Sequence, residues 1–436
     1  MSEYLRTIDA RQDETEIRRL IRAHLGKAAS SSTGADVAEQ VAKTLQRVRS
    51  GGDIALASLS KQFDYSEYTP EMIRVSEAEI DAAYEQVSPE LLASLRRAIA
   101  NVRAYHEREL PHGWSAELDG VTLGSRITPL ASAGIYVPAG QAPLPSTVYM
   151  CAVPAQVAGV PRLALCSPPR RDGTMDALTL VAARECGVAE VYRLGGAQAI
   201  AALAYGTETV TPVDKIVGPG NPWVVEAKRQ VFGVVGIESL PGPSESAMIA
   251  DDSADPEVVA ADLLSQAEHT GDNTVVLLTP SERLAEAVRA ALPAQVAALG
   301  RAELIGKSLE QQGAIVLVRD LTQAAALVSE LAPEHLELAV ADPEALAEQI
   351  PNAGCIFLGH LAAVPLGDYA AGPSHVLPTG GTARFSSPLS VQDFVKRTSL
   401  VQVSPEGLQR LAPDVIALAE AEGLTAHAAA IKRRLL

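Results

Sequence analysis

At 436 residues, with 47% apolar and 20% charged side chains, the chain has core material for roughly two to four globular domains. A formal net charge of -17 with dispersed basic residues excludes a nucleic-acid surface, which needs clustered Lys and Arg. No run approaches the roughly 18 to 20 apolar residues of a membrane span; the start "MSEYLRTIDARQDETEIRR" lacks the apolar core of a secretory signal, and Cys151, Cys166, Cys186 and Cys355 make no CxxC pair, so a cytoplasmic protein with reduced thiols is expected.

Residues 1 to about 110 read mainly as helix, because "GADVAEQVAKTLQRVRSGGDIALASLSKQF" and "SEAEIDAAYEQVSPELLASLRRAIANVRAYHE" place apolar residues three and four apart. Ser76 followed by Glu79 has the form of a capping box. From about 113 the pattern shifts to short β-like pieces, "SAELDGVTLGSRITPL" and the Gly- and Pro-rich "AGIYVPAGQAPLPST". Between 148 and 240 the strands "RLALC", "EVYRL" and "KIVGP" alternate with helical "MDALTLVAAREC", "AQAIAALAYG" and "PWVVEAKRQVF". That alternation predicts βαβ units and a parallel sheet. It resumes through "SAMIADD", "EVVAADLLSQAEH", "TVVLLTP", "GAIVLVR" and "LTQAAALVSELAPEH", so a second α/β block is expected, the two meeting near "LPGPSES". The tail from about 405 returns to helix.

Four later segments concentrate His and acidic residues: "SQAEHTGD", "LAPEHLEL", "LGDYAAGPSHVLPTGG" and "AEAEGLTAHAAA". Gln266 and His269, three apart, share a helical face, and with Asp368 and His427 they would supply the donors of a divalent transition metal if folding or a second subunit brought them together. Read locally, the same pair is better explained as the polar end of a helix, with Gly271 just beyond it. Glu422 and His427 are five apart, about 140° around an ideal helix, so one unbroken helix would not aim both at one point. "PEH" sets Glu334 beside His335, a pair suited to acid–base work or simply the start of the next element. "IVGPGNPWVVEAKRQ" reads as strand, Gly-containing turn and helix, a shape that offers backbone N–H groups to an anion without being a complete dinucleotide fingerprint. Cys166 ends an apolar strand with no nearby His, which suits a buried structural thiol better than a nucleophile.

In their order, "GIYVPAGQAPLPSTVYM", "GGAQAIAALAYGTETV", "VDKIVGPGNPWVVEAKRQV", "GPSES", "DLLSQAEH", "LAPEHLEL", "GDYAAGPSHVLPTGGTARFSSPLSV" and "AEAEGLTAH" resemble the signature segments of the histidinol dehydrogenase family. The resemblance runs from about 120 to 430. It implies an α/β fold of two incomplete Rossmann-like parallel-sheet domains, with smaller helical N- and C-terminal segments that pack on a partner subunit. The expected division is a helical region 1–115, a first Rossmann-like domain 116–240, a second 241–385, and a helical tail 386–436. Departures from the family pattern fall at Ala139, Val364, Pro388 and Gln392, none of them a proposed ligand or catalytic residue.

The resemblance further implies oxidation of L-histidinol to L-histidine through the aldehyde, with two NAD⁺ and one Zn²⁺ per site, in a homodimer. It assigns zinc to Gln266, His269, Asp368 and His427, the last from the partner subunit. Glu334 and His335 match the catalytic pair. Ser244, His375 and Glu422 match substrate contacts, joined there by Gln266, His269, His335, Asp368 and His427. Tyr136, Gln198 and Asn221 match positions around NAD⁺. Rival readings are a zinc hydrolase using Glu334 as base, a thiol-dependent aldehyde dehydrogenase using Cys166, and a non-enzymatic protein in which zinc only staples a dimer.

Overall fold

A computed structural model of the chain describes residues 4–29, 35–139, 143–268, 271 and 273–435. The first element is a strand, β1 (Arg6–Asp9), followed by helices Thr15–Ala29, Ala35–Phe63, Glu77–Tyr84 and Pro89–His106. The long helix breaks at Gly52, where φ is 52°, a backbone conformation that glycine adopts without a Cβ penalty. The side chain of Glu208 accepts the N–H of Asp53 at 2.7 Å just past the break. The capping box forms as predicted: Ser76 accepts the N–H of Glu79, and Glu79 accepts the N–H of Ser76 at 3.0 Å.

A hairpin, β2 (Trp114–Leu118) and β3 (Val121–Pro129), then leads into the first α/β unit. Its strands are β4 (Ser132–Tyr136), β5 (Arg162–Ser167), β6 (Glu190–Arg193), β7 (Lys215–Val217) and β8 (Gly236–Ile237), all parallel in the order β6-β5-β4-β7-β8. The order reverses between β4 and β7, the position at which doubly wound sheets open a ligand crevice beyond their carboxyl ends. Helix Ser146–Val157 is buried along most of its length and fills one face of the sheet with Val148, Met150, Cys151 and Val153.

The second unit holds β9 (Glu245–Ala250), β10 (Thr274–Thr279), β11 (Gly313–Leu317), β12 (His335–Ala339) and β13 (Cys355–Leu358). They form a parallel sheet in the order β1-β11-β10-β9-β12-β13, with every position of β9, β10 and β12 buried. Near-continuous apolar runs are what a strand covered on both faces requires. The last strand, β14 (Val395–Val403), pairs antiparallel with β3 along nine residues and completes a three-stranded sheet, β14-β3-β2. Two helices, Pro405–Ala421 and Thr425–Lys432, end the chain.

The fold class is α/β, with two parallel sheets. Two segments differ from the sequence reading. Residues 6–9 are not part of a helical region but the edge strand of the second sheet, and helix Thr15–Ala29 packs on Leu321–Leu331 of that same unit. The segment 386–436, expected as a helical tail with helix from about 405, also contains β14, which pairs with a strand more than 260 residues earlier.

Candidate active site

Helix Leu321–Leu331 stops at Ala332, which takes the left-handed conformation (φ 50°) and turns the chain into β12. Glu334 and His335 thereby stand at the amino end of β12, both almost fully buried. His335 Nδ1 lies 3.7 Å from Oε2 of Glu334, and Nε2 lies 3.5 Å from Oδ1 of Asp368. Both separations are ion-pair distances rather than hydrogen bonds, so the imidazole stands between two carboxylates with both ring nitrogens buried and unbonded. Phe357 of β13 tilts against the ring at a centroid distance of 6.3 Å.

Burial is the largest influence on Glu334 and lifts its pKa to about 7, although His335 pulls the other way. The backbone N–H of Glu245 donates to its Oε2 at 3.1 Å and fixes its orientation. For His335, burial disfavours the proton, but Glu334 and Asp368 outweigh that and hold the imidazole up at about 9. Burial thus brings Glu334 to neutrality while the two carboxylates raise His335 above it, so the pair exchanges protons in the range that proton-transfer chemistry uses.

Asp368 lies on helix Val364–Tyr369, which packs on helix Pro256–Ala267, whose last turn carries buried Gln266. Asn273 donates to the carbonyl oxygen of Gln266 at 2.9 Å and closes that helix end. His269 lies outside the described residues. His375 Nδ1–H donates to the carbonyl oxygen of Asp368 at 3.1 Å, and Nε2 lies 3.4 Å from Oγ1 of Thr147 in the first unit. Ser244 precedes β9, and its carbonyl accepts the N–H of Thr274 at 3.2 Å. Glu422 and His427 are exposed on the C-terminal helices, which pack on each other and on β14. Within one protomer they do not join this cluster: among the described residues no group of three or more His, Cys, Asp or Glu could hold a metal.

The three positions expected around a cofactor gather beyond the carboxyl ends of the first sheet. Tyr136 ends β4, and its hydroxyl accepts the N–H of Gly196 at 3.1 Å, where helix Gly196–Tyr205 begins. Gln198, in the first turn of that helix, donates to Asp64 at 3.3 Å. Asn221 caps helix Pro222–Val231, its Oδ1 accepting the N–H groups of Trp223 at 3.0 Å and Val224 at 3.1 Å. Cys166 is fully buried within β5, and burial pushes its thiol up, which removes it as a thiolate nucleophile.

A family model described as histidinol dehydrogenase matches residues 27–435. The histidinol dehydrogenase of Heliobacterium mobile is 50% identical over 402 residues, covering 92% of this chain and 94% of that protein. The chain belongs to the histidinol dehydrogenase family. The histidinol dehydrogenase of Thermosynechococcus vestitus is 48% identical over 419 residues, 95% of this chain and 97% of its own length. The crystal structure of histidinol dehydrogenase from Elizabethkingia anophelis superposes with a TM-score of 0.93 at 36% identity, covering 100% of this chain and 98% of that one.

As a member of the histidinol dehydrogenase family, the chain is a dehydrogenase of histidine biosynthesis. Its structure adds residues that the motif reading passed over. Glu245 touches Glu334 through its backbone and approaches His24 Nε2 at 3.0 Å. Buried Glu337, two residues along β12 from His335, pairs with the half-buried carboxyl of Asp262. Strand period two puts Glu337 on the face of His335, and helical spacing puts Asp262 one turn from Gln266. Both signals were present in "PEHLEL" and "DLLSQAEH".

Proposed function

We propose that this chain catalyses the zinc-dependent, NAD-linked four-electron oxidation of L-histidinol to L-histidine through L-histidinaldehyde. The observation that carries this reading is His335 held, buried and without a hydrogen bond, between Glu334 and Asp368. His335 takes the alcohol proton as the substrate carbon gives up a hydride. Glu334 then takes a proton from the water that attacks the aldehyde, and the hydrate loses a second hydride. Burial of both groups excludes bulk water from the proton transfers.

The amide oxygen of Gln266 and the carboxylate of Asp368, on two packed helices, are donors whose chemistry fits Zn²⁺. His269 of the same protomer and His427 of a second copy complete the proposed set, with Glu422 beside the latter as a substrate contact and Ser244 and His375 on the near side. Held there, the metal ion would orient the substrate and offset the charge of Asp368, which otherwise helps to keep His335 protonated. NAD⁺ is assigned to the crevice at the β4/β7 reversal, with Tyr136, Gln198 and Asn221 around it.

A homodimer is supported by the apolar side chains that the β14-β3-β2 sheet and the tail leave exposed: Trp114, Leu118, Val401, Leu418 and Leu424. A cytoplasmic location is supported by four free cysteines. No helix among the described residues is long and apolar enough to cross a membrane.

The two half-reactions test the reading. Glu334→Gln is expected to slow histidinaldehyde oxidation by about 10²–10⁴-fold and alcohol oxidation much less, whereas His335→Asn slows both. Equal losses in the two half-reactions of the Glu334 variant would overturn this division of roles.

A further inference from the structure

We propose that Lys228 and Glu238 are positioning residues for the dinucleotide: their buried ion pair locks the turn 218–221 against the end of β4 and holds the cofactor crevice in its binding shape. The inference rests on the reading of that crevice as the NAD⁺ site.

Lys228 Nζ donates to Oε1 of Glu238 at 2.7 Å, and both side chains are essentially inaccessible to solvent. The same Oε1 accepts the N–H of Gly218 at 2.8 Å, and Lys228 Nζ also donates to the carbonyl oxygen of Gly218 at 3.2 Å. One ion pair therefore satisfies both backbone polar groups of one residue. Gly218 is the first residue past β7, with φ at 114°, and a Cβ there would overlap the carbonyl oxygen of Tyr136. The glycine is wedged between the end of β4 and the ion pair, three residues before Asn221 caps the helix that carries Lys228. Glu238 follows directly after β8, the strand paired with β7. Helix, two strand ends and turn are thus tied at one point, on the side of the sheet where its order reverses.

Stability alone is a weak reason for this arrangement. Desolvating two charges costs several kcal/mol, and well-packed apolar residues of similar size often replace a buried ion pair at no loss. An apolar pair, however, offers neither acceptor nor donor, whereas this pair holds Gly218 by both its N–H and its C=O. Lys228 and Glu238 therefore act on the crevice through the turn, without touching the substrate cluster of the second sheet.

The experiment is a calorimetric titration of the zinc-loaded full chain with NAD⁺, and separately with L-histidinol. It compares wild type with Lys228→Met, Glu238→Gln and the double variant Lys228→Met, Glu238→Met, each checked by thermal melting. The double variant is expected to fold, with a melting temperature lowered by the unpaired Gly218 groups, and to bind NAD⁺ about tenfold more weakly or worse, with L-histidinol affinity unchanged. Glu238→Gln keeps an acceptor for the Gly218 N–H and is expected to lose less. If Lys228→Met leaves too costly a lone charge to fold, the double variant decides. Folded variants with wild-type NAD⁺ affinity, equal losses for both ligands, or a double variant that cannot fold would each overturn the proposal. A wild-type chain that binds no NAD⁺ would instead overturn the cofactor reading beneath it.

Discussion

Two carboxylates compete for the imidazole of His335, and the outcome sets the pH range in which each can work. Because burial lifts Glu334 to about 7, the group is a neutral acid below that value and a base above it. Histidinaldehyde oxidation should therefore rise with pH through about 7, and Glu334→Gln should remove that limb from the residual rate. A limb that persists in the variant would assign it to another group. At Gln266 the expectation is different: the side chain is a buried polar group in the last turn of its helix. Gln266→Ala should let zinc leave on dialysis while the melting temperature stays within a few degrees, and metal analysis of the dialysed protein checks it. That "PEH" and "SQAEH" are chemical segments was legible in the sequence. That His335 lies between Glu334 and Asp368 was not, since Asp368 comes 33 positions after His335, with a helix and a strand between their elements.

Between elements, the Asp262–Glu337 pair joins helix Pro256–Ala267 to β12, the two elements that carry Gln266 and the catalytic residues. Burial, and then the charge of Asp262, push Glu337 up from 4.5 to about 9, and burial raises Asp262 as well. A carboxyl raised on folding binds its proton more tightly in the native state, so its contribution is complete below about 4.5 and is lost as pH climbs towards 9. Thermal stability should fall across that window, and Glu337→Gln should flatten the fall. An identical pH dependence in the variant would contradict the assignment. The strands of the two parallel sheets were legible because burial on both faces demands apolar runs such as "TVVLLT". Strand β1 was not: "RTID" offers one buried position, Ile8, and its partner β11 lies some 300 residues on. Strand β14, half-buried at two positions and otherwise exposed, gave no core signal either.

For the whole molecule, one chain holds Glu334, His335 and Asp368 together and leaves Glu422 and His427 on an exposed tail. A site shared across a dimer predicts complementation. Glu334→Gln and His427→Ala, each slow alone in forming L-histidine, should regain part of the wild-type rate when unfolded and refolded together. One site of each mixed dimer then has all its groups intact. Failure to regain activity, with mixed dimers shown to form, would place His427 outside the site. The two-unit architecture was readable from the alternation of strand and helix, whereas the crossing of the N-terminal strand into the second sheet depends on contacts no local pattern reports.

A four-electron oxidation that needs a metal sets both the stoichiometry and the metal dependence of NADH formation. Purified chain is given limiting L-histidinol and excess NAD⁺, and NADH is followed by absorbance before chelation, after chelation, and after zinc is returned. Two NADH formed per L-histidine, lost with the metal and restored by zinc, is the predicted result. No NADH from L-histidinol, a stoichiometry of one with aldehyde released, or full turnover in metal-free protein would contradict it.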